Sequence, residues 1–183
     1  KESETYKMKI FINPGHDITL DAGAINKNLG LRECDVALKI ANQLQIYLET
    51  IGYETQLMQD DDLSLVVFTA NDYPADIFLS IHCNAFNQEV RGTETLIYQK
   101  NTLTELLANC IHQLVNTLQK IDGDFPNRGI KERPNLYVLK NTNMPAVLIE
   151  AAFIDNDTDA KLLIAYIDDI ARAIARGVTD FYQ

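Results

Sequence analysis

A chain of 183 residues carrying a formal net charge of −10 is long enough for one domain with a full core and short for two. That acidity excludes a partner whose phosphates must be neutralised by clustered Lys and Arg, so no nucleic acid is expected. Hydrophobic residues at 46% and charged ones at 23% are those of an ordinary globule, and no apolar run reaches the ~20 residues of a membrane span.

Residues 1–8 are polar, lack the apolar stretch of a signal peptide, and read as an N-terminal tail ahead of a domain over 9–183. A β-type run at about 9–13 opens the domain. The turn Asn13-Pro14-Gly15 then aims His16 over the end of that strand. From 33 to 51, Val36, Ile40, Leu44, Tyr47 and Ile51 recur at three- and four-residue steps and Gly52 supplies a stop, which predicts an amphipathic helix. A strand at 54–58 and a shorter helix at 62–71 follow. The next strand, 76–82, runs into His82. After a strand at 92–98, Leu107, Cys110, Ile111, Leu114 and Leu118 predict a helix over 103–121. Strands are expected at 135–140 and at 146–151, the latter running into Glu150. A helical region over 157–182 closes the chain, broken near Ala165 and Tyr166. Unbroken apolar strands alternating with helices predict an α/β fold: a single domain with a mostly parallel, six-stranded twisted sheet and helices on both faces. The loops at 13–31, 84–91 and 121–134 are the site-forming segments.

Cys34, Cys83 and Cys110 are an odd number with no CxxC spacing, so buried free thiols are expected rather than a disulfide framework. Successive strand side chains point to opposite faces, which makes Cys83 a core filler beside His82.

In an open α/β sheet, ligands collect beyond the carboxyl ends of the strands. Only three His occur, and His16 and His82 stand at two such ends. Glu33 shares the apolar stripe of its helix, so its carboxylate faces inward and needs a partner: backbone donors at a helix N-terminus, a basic side chain, or a cation. Each residue alone has an ordinary reading, a loop histidine, a core histidine and a cap. Together they fit the two-His, one-carboxylate set of a catalytic zinc site. His112 lies toward the polar flank of its helix and is expected at the surface. Glu150, flanked by apolar residues, is either half of a buried salt bridge or a catalytic base able to take a proton from water and pass it to a departing amine.

Four motifs in order carry a resemblance: Asn13-Pro14-Gly15-His16 with Asp21-Ala22-Gly23-Ala24; Leu31-Arg32-Glu33; Ser80-Ile81-His82-Cys83-Asn84-Ala85; and Pro145-Ala146-Val147-Leu148-Ile149-Glu150 with Phe153 and Asn156. Arg91-Gly92, and Arg128-Gly129 followed by Leu136-Tyr137-Val138-Leu139, extend it. From about residue 9 to the C-terminus the chain resembles the zinc-dependent N-acetylmuramoyl-L-alanine amidases of the type-3 amidase family, which includes autolysins and phage endolysins. The resemblance implies Zn2+ held by His16, Glu33 and His82, with Glu150 as catalytic glutamate. It further implies a peptidoglycan or muropeptide substrate and an extracellular, periplasmic or cell-wall setting. One departure stands out: the family usually follows its first histidine with Gly-Gly, whereas here Asp17-Ile18-Thr19 follow His16, which bears on substrate detail. A zinc carboxypeptidase or other peptidase could use the same chemistry, and a non-catalytic wall-binding module would lack one of the four residues. Some relatives insert a helical plug after the fourth strand. Only Gln99-Lys100-Asn101-Thr102 separate Tyr98 from Leu103 here, too few for a plug, so no obligatory activator is expected.

Overall fold

The computed structural model describes residues 7–183; most of the tail expected over 1–8 lies outside the described residues. In chain order the elements are β1 (Lys9–Pro14), β2 (Ile25–Asn26), β3 (Leu31–Arg32), α1 (Glu33–Thr50), β4 (Glu54–Leu57), α2 (Leu63–Asp72), β5 (Ile77–Asn84), β6 (Thr93–Ile97), α3 (Leu103–His112), α4 (Leu114–Ile121), β7 (Asn127–Glu132), α5 (Tyr137–Asn141), β8 (Ala146–Phe153), α6 (Asp157–Ala165) and α7 (Ile167–Phe181). A six-stranded sheet has the order β4-β1-β5-β8-β6-β7, and β2 and β3 form a small antiparallel ribbon. All neighbours in the large sheet are parallel except β6 and β8. The expected α/β fold with a mostly parallel sheet is thus what the chain adopts.

Alternation along the central strands divides the core into two layers. Ile10, Ile12, Ile77, Leu79, Ile81, Val147 and Ile149 face one way, and α1, α3, α4, α6 and α7 cover them. Phe11, Phe78, Ala146 and Leu148 face the other, where among the described residues the covering helices are α2 and α5, with buried Val66, Val67, Val138 and Leu139. Burying side chains on both faces explains why these strands read as continuous apolar runs.

Three sequence expectations need correction. The apolar run at 135–140 is not a strand: Leu136 caps a single short helix, α5, whose Val138 and Leu139 pack on the thinner layer. The sixth strand is instead β7, Asn-Arg-Gly-Ile-Lys-Glu, inside the segment expected to be loop. Among the described residues it pairs only with β6, at the sheet edge, so it is half-exposed and carries no apolar run to betray it. The helix expected over 103–121 is two helices, with Gln113 at the junction. The break expected near Tyr166 separates α6 from α7.

Candidate metal and active site

β1 ends at Pro14, and the Gly15 amide donates to the Ile81 carbonyl at 2.8 Å, joining the loop to the end of β5. His16 then adopts a left-handed backbone conformation, φ 60°, uncommon for a residue with a side chain and a frequent mark of functional positions. Buried Asn13 anchors the turn from below: its amide donates to the Met58 carbonyl at 3.0 Å, and its oxygen accepts from Ser80 Oγ at 3.0 Å. Asp61 closes the following loop, accepting the Asp17 amide at 3.0 Å and the Asp21 amide at 2.9 Å on its two oxygens. Asp17-Ile18-Thr19 is therefore a built loop, with the Asp17 carboxylate accepting from the Thr19 amide at 2.7 Å.

Glu33 opens α1, where the backbone amides of Glu33 and Cys34 donate to Ala24 and Ala22 at 2.9 and 3.1 Å. Its buried carboxylate accepts the Ala24 amide at 2.9 Å and the Cys83 amide at 3.1 Å, and lies 2.9 Å from His82 Nδ1 and 3.4 Å from His16 Nε2. Two of the partners weighed from sequence, backbone donors and a basic side chain, are both present, although the donors come from other segments. Burial works to raise the pKa of this carboxyl. The hydrogen bond and charge of His82, with the Ala24 amide and His16, outweigh it and hold Glu33 below its ordinary value.

His16, Glu33 and His82 thus converge from three separate segments, with one ligand atom each inside a common 4.8 Å. Glycines make the room. A Cβ at Gly15 would stand 2.2 Å from the His82 ring, and one at Gly23, whose φ is +70°, 2.6 Å from both the Glu33 carboxylate and the His16 ring. On the outer side of His16, Nδ1 lies 3.2 Å from Asp21 Oδ2. Two nitrogens, one oxygen and an outer carboxylate fixing a ring suit a borderline cation such as zinc.

Glu150 lies on β8 in register with His82 and on the same side as Leu148, so it borders this cluster across one strand spacing. Its Oε2 is buried with no hydrogen-bond partner among the described residues. Desolvation foremost, then the charges of Glu33 and Glu94, pushes its pKa well above the ordinary carboxylate value. A cleft of about 360 Å³ adjoins the cluster, lined by His16, His82, Asp60, Asp61, Leu63 and Tyr137 among others.

The sequence pattern of the N-acetylmuramoyl-L-alanine amidase family matches residues 10–180. The chain belongs to this family. It is similar to N-acetylmuramoyl-L-alanine amidase LytC of Bacillus subtilis, with 36% identity over 181 residues, covering 95% of this chain and 35% of that protein. Among solved structures it resembles the amidase AmiC2 of Nostoc punctiforme at TM-score 0.86 and 30% identity, covering 98% of this chain and 99% of that one. It also resembles the CwlD amidase from Clostridioides difficile, solved in complex with the GerS lipoprotein, at TM-score 0.78 and 27% identity, covering 96% of this chain and 98% of that one. The chain spans about a third of the length of the first curated relatives it matches.

In this amidase-family domain His112 corrects the sequence reading. It is 8% exposed rather than at the surface, with Nδ1 3.0 Å from Thr95 Oγ1 and Nε2 2.8 Å from Asn127 Oδ1. Its polar partners lie on β6 and on the unforeseen β7, so helix periodicity alone could not reveal them. Cys83 is buried in the core as expected, and burial pushes its thiol pKa well up. Asp21 and Asp61 escaped the sequence reading as site builders. Asp21 stands in the first motif, within Asp21-Ala22-Gly23-Ala24, whereas Asp61 gives no signal beyond its neighbours' acidity.

Proposed function

We propose that this domain hydrolyses the amide joining the lactyl group of N-acetylmuramic acid to L-alanine of the peptidoglycan stem peptide, using Glu150 as general base at a zinc ion held by His16, Glu33 and His82. The observation that carries the reading is the convergence of those three side chains from distant segments, with an unpartnered carboxylate oxygen on the neighbouring strand. When bound there, zinc supplies Lewis-acid polarisation of a carbonyl and acidifies water toward a pKa of ~7.

The chain's own groups do the rest. Asp21 orients the His16 ring through Nδ1, leaving Nε2 toward Glu33. The Ala24 and Cys83 amides hold the Glu33 carboxylate in one orientation. Glu150, whose basicity is raised by its surroundings, accepts the proton of the attacking water and returns it to the departing L-alanine amine. The cleft between His16 and Tyr137 offers space for the substrate flanking the cleaved bond.

Action at the bacterial cell wall follows from that substrate, and among the described residues no helix is long and apolar enough to cross a membrane. CwlD is solved with a lipoprotein partner. For this chain we infer activity without an obligatory partner, because only five residues link β6 to α3, too few for a helical plug. Digestion of soluble muropeptides by the purified chain, with and without chelator, tests the reading. The expected products, free L-alanyl peptide and lactyl carboxylic acid, should vanish on chelation and return with zinc. Release of a peptide carboxyl instead would assign a peptidase.

A further inference from the structure

The row of polar side chains on the thinner face does not end at Glu150. Register places Glu94 of β6 directly opposite Glu150, and β7 beyond it carries Arg128 and Lys131. Glu94 is only 6% exposed. Asn84 Nδ2 donates to its Oε1 at 3.1 Å, while Arg128 Nε, at 3.0 Å, and Lys131 Nζ both donate to its Oε2. One buried carboxylate needs one cation for neutrality, and here it holds two. The second cation stands near the carboxylates of Glu150 and Glu33, in a chain of net charge −10.

Arg128 is also pinned in orientation. Its guanidinium lies over the Phe153 ring at 5.0 Å, and its side chain is 33% exposed. With Nε and one ring-facing side engaged, its Nη groups donate no hydrogen bond among the described residues. A planar fork held by its inner nitrogen and free at its outer ones is suited to a carboxylate, and its immobilisation has already been met by Glu94 and Phe153.

We propose that Arg128 and Lys131, tied down by Glu94, form a cationic subsite that receives a carboxylate of the substrate's peptide, and so favours stems in which that carboxylate is free over stems in which it is amidated. This rests on the amidase reading above. Two strand spacings of ~4.8 Å, roughly 10 Å, separate the β8 and β7 backbones, and the Arg128 guanidinium reaches back over Phe153 of β8, so the subsite lies within the reach of up to about three extended residues of Glu150. The first carboxylate within that reach of the cleaved amide belongs to the γ-linked D-glutamate that follows L-alanine.

The test compares N-acetylmuramyl-L-alanyl-γ-D-glutamyl-L-lysine with the same molecule carrying D-isoglutamine. The zinc-loaded parent chain should favour the free carboxylate by about tenfold or more in kcat/KM, as loss of a charge-assisted hydrogen bond implies. Arg128→Gln should bring that ratio close to one, and Arg128→Lys should restore part of it. Lys131→Gln carries the same expectation should Arg128→Gln fail to fold. A parent ratio near one, or a ratio unaltered in the folded variants, overturns the subsite. If the parent cleaves neither compound, the amidase reading fails, and calorimetric binding of the two compounds to Glu150→Gln protein decides the subsite separately: a preference lost with Arg128→Gln upholds it, and equal binding overturns it.

Discussion

On one face of the sheet five helices, α1, α3, α4, α6 and α7, bury an aliphatic layer built on Ile12, Leu79, Ile81 and Ile149. On the other, α2 and α5 cover a smaller layer around Phe11, Phe78 and Leu148, and beyond it toward the strand ends stand His82, Glu150 and Glu94. The strands themselves are the same; alternation assigns each residue to one side or the other. Ile149 and Glu150 are chain neighbours with opposite tasks. The thicker face supplies the stability that lets the thinner one carry an unpartnered carboxylate and two cations on one buried acid. Helix α1 joins the two sides, since its body packs on the thicker layer while Glu33, at its first turn, reaches the site.

That division can be broken from either side. The largest effect should come from His82→Ala, which removes a proposed ligand. Zinc content should fall below stoichiometry and amidase turnover should drop by more than about a hundredfold, since even loss of a supporting residue beyond the ligands typically costs 10–100-fold. Elemental analysis alongside a muropeptide assay reads both, and undiminished zinc would remove His82 from the set. On the thicker face, Ile149→Ala should cost about 2–5 kcal/mol in urea unfolding, as truncation of a fully buried aliphatic residue does. A loss under ~1 kcal/mol would mean that the aliphatic layer relaxes around the cavity and is not the stabilising side.

The smallest effect concerns acid. Burial alone would raise the pKa of Glu94, but the hydrogen bonds and charges of Lys131 and Arg128 outweigh it and set its folded value below the ordinary one. A depressed carboxylate contributes stability that is fully present above its unfolded pKa, ~4.3, and is lost as pH falls through the lower folded value. The stability difference between the parent chain and Glu94→Gln should therefore be constant above about pH 5 and shrink below about pH 4. A difference that grows on acidification would contradict the assigned pairing.

The buried strands, and the polar residues at their ends, were more legible in the sequence than the edge of the sheet. β1, β5 and β8 are buried on both faces, so their apolar runs announce them, and the polar residues at their ends become conspicuous by contrast. β7 lies at the edge with Asn127, Arg128, Lys131 and Glu132 half in solvent, and nothing in a polar hexapeptide distinguishes it from loop. The run at 135–140 failed for the converse reason: a short apolar segment has the same composition whether it is a strand or one turn of buried helix. His112, Asp61 and Glu94 take their roles from partners on other elements, Asp61 from a loop 40 or more residues away, and no local pattern encodes such pairings.

Glu150→Gln bears most closely on the assigned general base, because it keeps the size of the side chain while removing its capacity to accept a proton. Zinc content and muropeptide turnover are measured on the same preparation. The variant should hold stoichiometric zinc, keep a fold at least as stable as the parent's, since a buried oxygen without a hydrogen-bond partner is no longer a carboxylate, and turn over about a hundredfold or more slowly. Cleavage of the lactyl–alanine amide at near the parental rate would contradict that assignment.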